Sequence, residues 1–142
     1  MQLTGQCHCG NIRFEFEIAC ALDKLPLRAC QCSFCRKHGA VTASDPHGRV
    51  RFRFADRGQV QRYRFGLGVT EILVCMRCGG YAAGLVHIDG RPYATLNVNL
   101  LDRRAELTQT PLPVDYASET REQRLARRAR SWTPIAPEEQ GG

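Results

Sequence analysis

The chain has 142 residues, of which 43% are hydrophobic and 24% are charged, values typical of one globular domain. The formal net charge is +6, and the composition includes eight cysteines. No apolar run approaches the ~20 residues of a membrane span, and residues 1–6 lack the basic and apolar parts of a signal peptide. We therefore expect a cytoplasmic protein with no membrane partner, whose thiols remain reduced.

Alternation of apolar and charged residues predicts most of the secondary structure. Residues 12–18 and 50–54 alternate strictly, as half-buried strands do. After a turn at residues 56–58, residues 60–65 are predicted to return as the hairpin partner of residues 50–54. Further strands are predicted at residues 71–74, 81–88 and 93–100, with Asp89-Gly90 as the turn between the last two. This spacing predicts a mainly β fold of antiparallel strands.

The chain is expected to have two parts. Residues 1–110 are predicted to form the β domain, and residues 111–142 a short C-terminal helical extension with a flexible tail. A helical turn is predicted at residues 33–38 and a longer helix at residues 118–130, with Trp132 docking that helix against the body. Residues 134–142 are predicted to be a loose tail.

Seven of the eight cysteines fall into three short clusters: Cys7 and Cys9, then Cys30, Cys32 and Cys35, then Cys75 and Cys78. Cysteines two residues apart do not close an unstrained disulfide, and in a reducing compartment paired cysteines are more often metal ligands than disulfides. The two outer pairs supply four sulfurs, the number that tetrahedral zinc needs. A strand follows each pair, at Ile12 and at Tyr81, and the two strands could lie side by side in one sheet. The outer pairs are therefore predicted to form one closed, structural site.

The middle cluster supplies three thiols without an obvious fourth ligand. The fourth position is either open or filled by a neighbour, for which His38, at knuckle spacing from Cys35, and Cys20 are the candidates. An open site of three thiolates favours a soft fourth ligand, and an incoming thiol would bind as a thiolate. A bound thiolate can attack a small electrophile such as an aldehyde. An open site thus predicts thiol addition or transfer rather than hydrolysis.

The order of these motifs resembles that of the glutathione-dependent formaldehyde-activating enzyme family, which includes centromere protein V. The resemblance covers about residues 1–103 and rests on three motifs: Gly5-Gln6-Cys7-His8-Cys9-Gly10, Cys30-Gln31-Cys32-Ser33-Phe34-Cys35-Arg36-Lys37 and Cys75-Met76-Arg77-Cys78-Gly79. It implies a zinc-stabilised, β-tent-like fold with two zinc ions per chain. The family pattern assigns a structural zinc to the outer pairs, here Cys7, Cys9, Cys75 and Cys78. It assigns the active-site zinc to the middle triad of Cys30, Cys32 and Cys35, and it has no ligand at the position of His38.

The family activity implied by this resemblance is the condensation of formaldehyde with glutathione, classed as a carbon–sulfur lyase reaction. Under this hypothesis glutathione is the partner, and Arg36 and Lys37 beside the middle triad receive its carboxylates. An alternative hypothesis is a non-catalytic zinc module that serves as a scaffold or interaction domain. Nucleic-acid binding by the basic and aromatic residues of the predicted 50–65 hairpin is disfavoured, because Phe52 and Phe54 share a face with Val50, as in a core-facing strand.

Overall fold

The computed structural model of the chain describes residues 1–137. Two helices lie in this range, α1 at Ser33–His38 and α2 at Arg121–Ser131, and neither is long and apolar enough to cross a bilayer. Eleven strands, β1 to β11, lie in chain order at Gln2–Gln6, Ile12–Glu17, Arg28–Cys30, Thr42–Ala43, Arg49–Phe54, Val60–Tyr63, Glu71–Cys75, Tyr81–Ile88, Arg91–Asn97, Leu112–Val114 and Thr133–Pro134. Short 3-10 turns lie at Leu22–Lys24, Arg57–Gln59, Val98–Leu100 and Arg104–Glu106.

A small antiparallel sheet contains β1, β2 and β5, with β2 in the centre. The inner face of β2 carries Phe14 and Phe16, which are 1% and 0% exposed. On the outer face, Glu15 of β2 lies opposite Arg51 of β5, so opposite charges face each other across the two strands. The register is set by both faces, because a slip of one residue would turn the phenylalanines towards solvent.

The remaining strands form a larger sheet in the order β10, β3, β4, β9, β8, β7, β6, with β11 paired to β9. Its neighbouring strands run antiparallel except for β10 and β3, which run parallel. The predicted turn between β8 and β9 is present, and Asp89 and Gly90 have φ angles of 51° and 77°, as a type I′ turn requires. The two sheets share one hydrophobic core. The prediction of a mainly β fold is thus confirmed, with one parallel pair added to the expected antiparallel strands.

The predicted hairpin between residues 50–54 and 60–65 is wrong. β5 pairs with β2 in the small sheet, whereas β6 pairs with β7 in the larger one. The turn after β5 is present, since the Asp56 carboxylate accepts a 2.9 Å hydrogen bond from the Gly58 amide, but it carries the chain from one sheet to the other. The basic surface considered for a nucleic acid is therefore divided between two sheets. Arg62 and Arg64, its members on the β6 side, both pair with Glu71.

The C-terminal segment is built into the larger sheet through β10 and β11. α2 begins at Arg121 rather than at residue 118 because Thr120 caps it. Trp132 is 5% exposed, which confirms its predicted docking. The prediction of a loose tail is wrong for residues 134–136, because the Ala136 amide donates a 2.7 Å hydrogen bond to the Val50 carbonyl. Residues 138–142, which the same prediction covered, lie outside the described part of the chain. The division at residue 110 stays a prediction, although residues on both sides of it share one sheet.

Candidate metal centres and the adjoining cavity

The two outer cysteine pairs lie on turns of similar construction. A 2.9 Å backbone hydrogen bond from the amide of the first cysteine, Cys7 or Cys75, closes each turn. A glycine with positive φ follows each pair, Gly10 at 84° and Gly79 at 78°, a conformation that other residues adopt at a steric cost. The strands that follow, β2 and β8, lie in different sheets, so the expectation of one shared sheet is wrong. The paired turns therefore join the two sheets.

Folding of these turns brings four sulfurs together. The Sγ atoms of Cys7, Cys9, Cys75 and Cys78 all lie within 4.8 Å of one another. The Sγ–Sγ distances are 3.8 Å between Cys7 and Cys9 and 3.6 Å between Cys9 and Cys75. Four sulfurs placed ~2.3 Å from one tetrahedral zinc would lie about 3.8 Å apart. The group can therefore hold a metal ion of this geometry without a large rearrangement.

Burial raises the pKa values of Cys7 and Cys78 in this group, whereas hydrogen bonds from backbone amides lower them. Burial raises the pKa of Cys7 to about 11. Against the effect of burial, hydrogen bonds from the Cys9 and Gly80 amides lower the pKa of Cys78 to about 6. Thiolates rather than thiols bind metals, so the Cys78 turn already favours the ligating form of sulfur.

The middle cysteines converge where β3 meets α1. Cys30 is the last residue of β3, Cys32 is the N-cap of α1, and Cys35 lies in the first turn of the helix. The Cys35 amide donates a 3.4 Å hydrogen bond to Sγ of Cys32, and Gly39 ends the helix with a φ of 58°. The short helix at residues 33–38 is thus confirmed. It places the three Sγ atoms within 4.8 Å of one another.

The chemistry of this triad fits a soft metal ion. A hydrogen bond from the Cys35 thiol lowers the pKa of Cys30 to about 5, and the same bond together with burial raises the pKa of Cys35. Cysteine sulfurs grouped on one turn are a donor set that zinc accepts. The triad can therefore hold a second metal ion through three ligands from the chain.

The two candidates for a fourth ligand lie outside this group. His38 is exposed, its Nδ1 is 2.9 Å from the Phe34 carbonyl oxygen, and its ring centroid is 4.2 Å from that of Phe34. Cys20 packs against the main hydrophobic core, where burial and then Asp45 raise its pKa. Within residues 1–137, the candidate metal-binding group at this position consists of the three cysteines alone.

The triad forms part of the wall of a cavity of about 280 Å³. Ile72, Tyr81 and Trp132 contribute apolar surface to it. Burial raises the pKa of Tyr81, so its phenol stays a neutral hydrogen-bond donor at neutral pH. The basic lining consists of four arginines, namely Arg28, Arg124, Arg127 and Arg128. The cavity is therefore a largely apolar space with positive charge on its walls and three thiols on one side.

Arg36 and Lys37 occupy exposed positions of α1, and neither lines the cavity, so their role in substrate binding stays a prediction. The arginines of α2 that line the cavity, Arg124, Arg127 and Arg128, were not predicted from the sequence to be binding residues. Arg28 lies two residues before Cys30 on the same strand, a spacing that places both side chains on one face. On α2, Arg127 and Arg128 lie three and four residues after Arg124, a spacing that places all three on one face of the helix. Both signals were available in the sequence.

The fold and the two cysteine groups define a mainly β protein with two candidate metal centres. A family model described as glutathione-dependent formaldehyde-activating enzyme matches residues 2–113. The chain therefore belongs to this family, in agreement with the resemblance of its motifs. A crystal structure of a Rhodobacter sphaeroides protein is similar, with a TM-score of 0.54 and 27% sequence identity over 78% of this chain and 97% of that one.

Proposed function

We propose that the chain is a zinc-dependent enzyme that joins formaldehyde to a small thiol such as glutathione. The observation that carries this proposal is the convergence of Cys30, Cys32 and Cys35 on the wall of a cavity. Membership of the family supports formaldehyde and glutathione as the reactants. The cavity volume of about 280 Å³ supports a small-molecule substrate.

The proposed reaction balances without an oxidant or a reductant. The sulfur of the thiol adds to the carbonyl carbon of formaldehyde, so a carbon–sulfur bond forms and the carbonyl π bond breaks. The thiol proton ends on the oxygen, which becomes a hydroxyl group. The reverse reaction cleaves the same carbon–sulfur bond, which makes the enzyme a carbon–sulfur lyase.

Two zinc ions per chain are the proposed cofactors. One would be held by the outer cysteines, as a structural ion, and the other by the middle triad. The outer ligands are Cys7, Cys9, Cys75 and Cys78, and the triad is Cys30, Cys32 and Cys35. A zinc ion with three thiolate ligands supplies a position that favours a soft fourth ligand. The neutral phenol of Tyr81, a residue of the cavity wall, can donate a hydrogen bond to an oxygen that gains negative charge.

Reduced thiols are a requirement of this chemistry. All eight cysteines are free, and the cytoplasm keeps both protein thiols and glutathione in the reduced form. We therefore propose the cytoplasm as the compartment and a small-molecule thiol as the partner.

The rate of exchange between formaldehyde, glutathione and their adduct tests the proposal, with NMR exchange spectroscopy as the measurement. The zinc-loaded protein is expected to accelerate this exchange above its spontaneous rate. Cys32→Ala should abolish the acceleration because it removes one ligand of the triad. Cys20→Ala is the matched control, since Cys20 belongs to neither group, and it should retain the acceleration. Exchange at the spontaneous rate with the zinc-loaded parent would reject the enzyme.

X-ray absorption at the zinc edge distinguishes the enzyme from the alternative, a non-catalytic zinc scaffold. In the enzyme, added glutathione should change the ligand environment of the second zinc by contributing a sulfur. A spectrum that already contains a fourth protein ligand and does not respond to glutathione would favour the scaffold.

A further inference from the structure

Arg128 of α2 is buried on the cavity wall with an incomplete set of partners. It is 8% exposed, its Nη1 donates a 2.5 Å hydrogen bond to the Thr70 hydroxyl, and its Cζ lies 4.3 Å from the ring centroid of Trp132. Its Nε is buried and has no hydrogen-bond acceptor within residues 1–137. A guanidinium removed from water and offered only a hydroxyl and an aromatic ring bears a desolvation cost that a bound anion would offset.

Arg28 of β3 lines the same cavity and is held by neutral groups as well. Its Nη2 donates hydrogen bonds to the hydroxyls of Ser44, at 2.5 Å, and Thr95, at 3.2 Å. Thr70 accepts the hydrogen bond from Arg128, and Thr95 accepts one from Arg28. Both threonines lie against Gly84 of β8. Their methyl carbons are 3.3 and 3.5 Å from the position that a Cβ on Gly84 would occupy. The threonines that hold the two arginines therefore flank one glycine, and Trp132 lies 3.4 Å from the same Cβ position, so a side chain here would crowd this part of the cavity wall.

The other two arginines of the cavity already have an acidic partner. Arg127 makes two hydrogen bonds to Glu119, at 2.7 and 3.0 Å, and Arg124 makes one at 3.4 Å. Among the described residues, Asp115 is the one carboxylate in the lining, and it accepts a 2.9 Å hydrogen bond from the Ala117 amide. A zinc ion with three thiolates would add a net charge of about −1. The walls thus retain an excess of positive charge even with the metal bound.

We infer that Arg28 and Arg128 form an anion-binding subsite that holds a carboxylate of the substrate thiol while its sulfur faces the cysteine triad. The inference rests on the proposed function for the thiol. Guanidinium groups bind carboxylates through paired hydrogen bonds, and Nε of Arg128 is a donor still free to make one. The cavity volume of about 280 Å³ is close to the ~300 Å³ at which small-molecule pockets begin, which suits a small organic acid rather than a macromolecule.

The subsite belongs in part to the C-terminal segment of this chain. The family model matches residues 2–113, and α2, which carries Arg128, begins at Arg121. The cysteine groups lie inside the matched range, whereas half of the anion subsite lies beyond it. The segment after the matched range therefore contributes to which thiols the cavity accepts.

The test uses S-methylglutathione, whose blocked sulfur separates carboxylate binding from thiol chemistry. Affinity for the zinc-loaded, full-length protein is measured by isothermal titration calorimetry. Trp132 is the one tryptophan of the sequence and contacts Arg128, so its fluorescence in the parent should change saturably with the probe. Arg128→Met should weaken binding about tenfold or more, the effect of losing a hydrogen bond between charged groups. Arg130→Met, an exposed arginine of the same helix, should bind like the parent.

Two further comparisons keep the result decisive if Arg128→Met folds poorly by circular dichroism. Arg128→Lys keeps the charge but loses the planar fork, so its affinity should fall between those of the parent and Arg128→Met. The diethyl ester of S-methylglutathione lacks both carboxylate charges and should bind the parent about tenfold more weakly or worse. Equal affinity for acid and ester, or unchanged affinity in folded Arg128 variants, would overturn the subsite. Carboxylate-dependent binding without accelerated formaldehyde exchange would reject the proposed reaction and retain the subsite.

Discussion

At the scale of single residues, Cys32 has two roles. Its sulfur accepts the hydrogen bond that begins α1, and it belongs to the middle group of candidate metal ligands. We predict that Cys32→Ala lowers the zinc content from two ions per chain to one, as measured by elemental analysis. The fold should persist in circular dichroism, because the outer group of Cys7, Cys9, Cys75 and Cys78 remains complete.

The control for this prediction is Cys20→Ala, which removes a thiol that packs against the core and touches neither metal group. This variant should keep two zinc ions. A Cys32→Ala chain that also keeps two would contradict the assignment of the middle triad as the second metal site. A Cys32→Ala chain that loses both ions would show that the two sites depend on each other.

The candidate metal ligands could be predicted at this scale because their grouping is local. Each cluster spans a few residues, so one tight turn suffices to aim its sulfurs at a common point. The arginines of the cavity are different, because Arg28 and Arg128 are a hundred positions apart in the chain and meet only through the folding of β3 and α2. Their charges were visible in the sequence, but their shared location depends on tertiary structure.

At the scale of secondary structure elements, α2 depends on the cap that precedes it. The Gln123 amide donates a 3.1 Å hydrogen bond to the Thr120 hydroxyl, and the Thr120 amide donates a 2.9 Å bond to the Gln123 side chain. Thr120→Ala is expected to lower the free energy of unfolding by about 1 kcal/mol, the usual loss for a capping threonine. Ser118→Ala, at an exposed position before the helix, should change it by less than about 0.5 kcal/mol. Urea denaturation measures both, and equal stabilities would show that the cap contributes little.

Strand positions were more predictable than strand partners. Alternation in residues 12–18 and 50–54 marks two strands with a buried face, and the structure places β2 and β5 there. Alternation does not indicate which strands pair with each other. The predicted partner of β5 was therefore the next segment, residues 60–65, whereas its actual partner is β2. The pairing of Glu15 with Arg51 was a usable signal, since acidic β2 and basic β5 complement each other. β3, β4 and β10 escaped prediction because strands of two or three residues are too short to show a period.

At the scale of the whole molecule, the outer cysteine group and the C-terminal segment both connect the two sheets. The outer group joins the turn before β2 to the turn before β8, across the boundary between sheets. The amide of Ala136, just after β11 of the larger sheet, donates to the carbonyl of Val50 in the small one. A metal ion at the outer group would therefore contribute to the stability of the fold, whereas one at the triad would serve the cavity.

This difference predicts that a chelator removes the two proposed zinc ions in separate steps. The triad supplies three ligands and lines the cavity, so its ion should leave first, with little change in circular dichroism. The outer group supplies four ligands, and Cys7 and Cys75 are 0% exposed, so its ion should leave later and together with unfolding. Zinc release to a chromogenic chelator, recorded beside circular dichroism, measures both steps. Cys32→Ala should show the slow step alone. Loss of all zinc without unfolding, or one step that removes both ions and the fold together, would contradict this separation of roles.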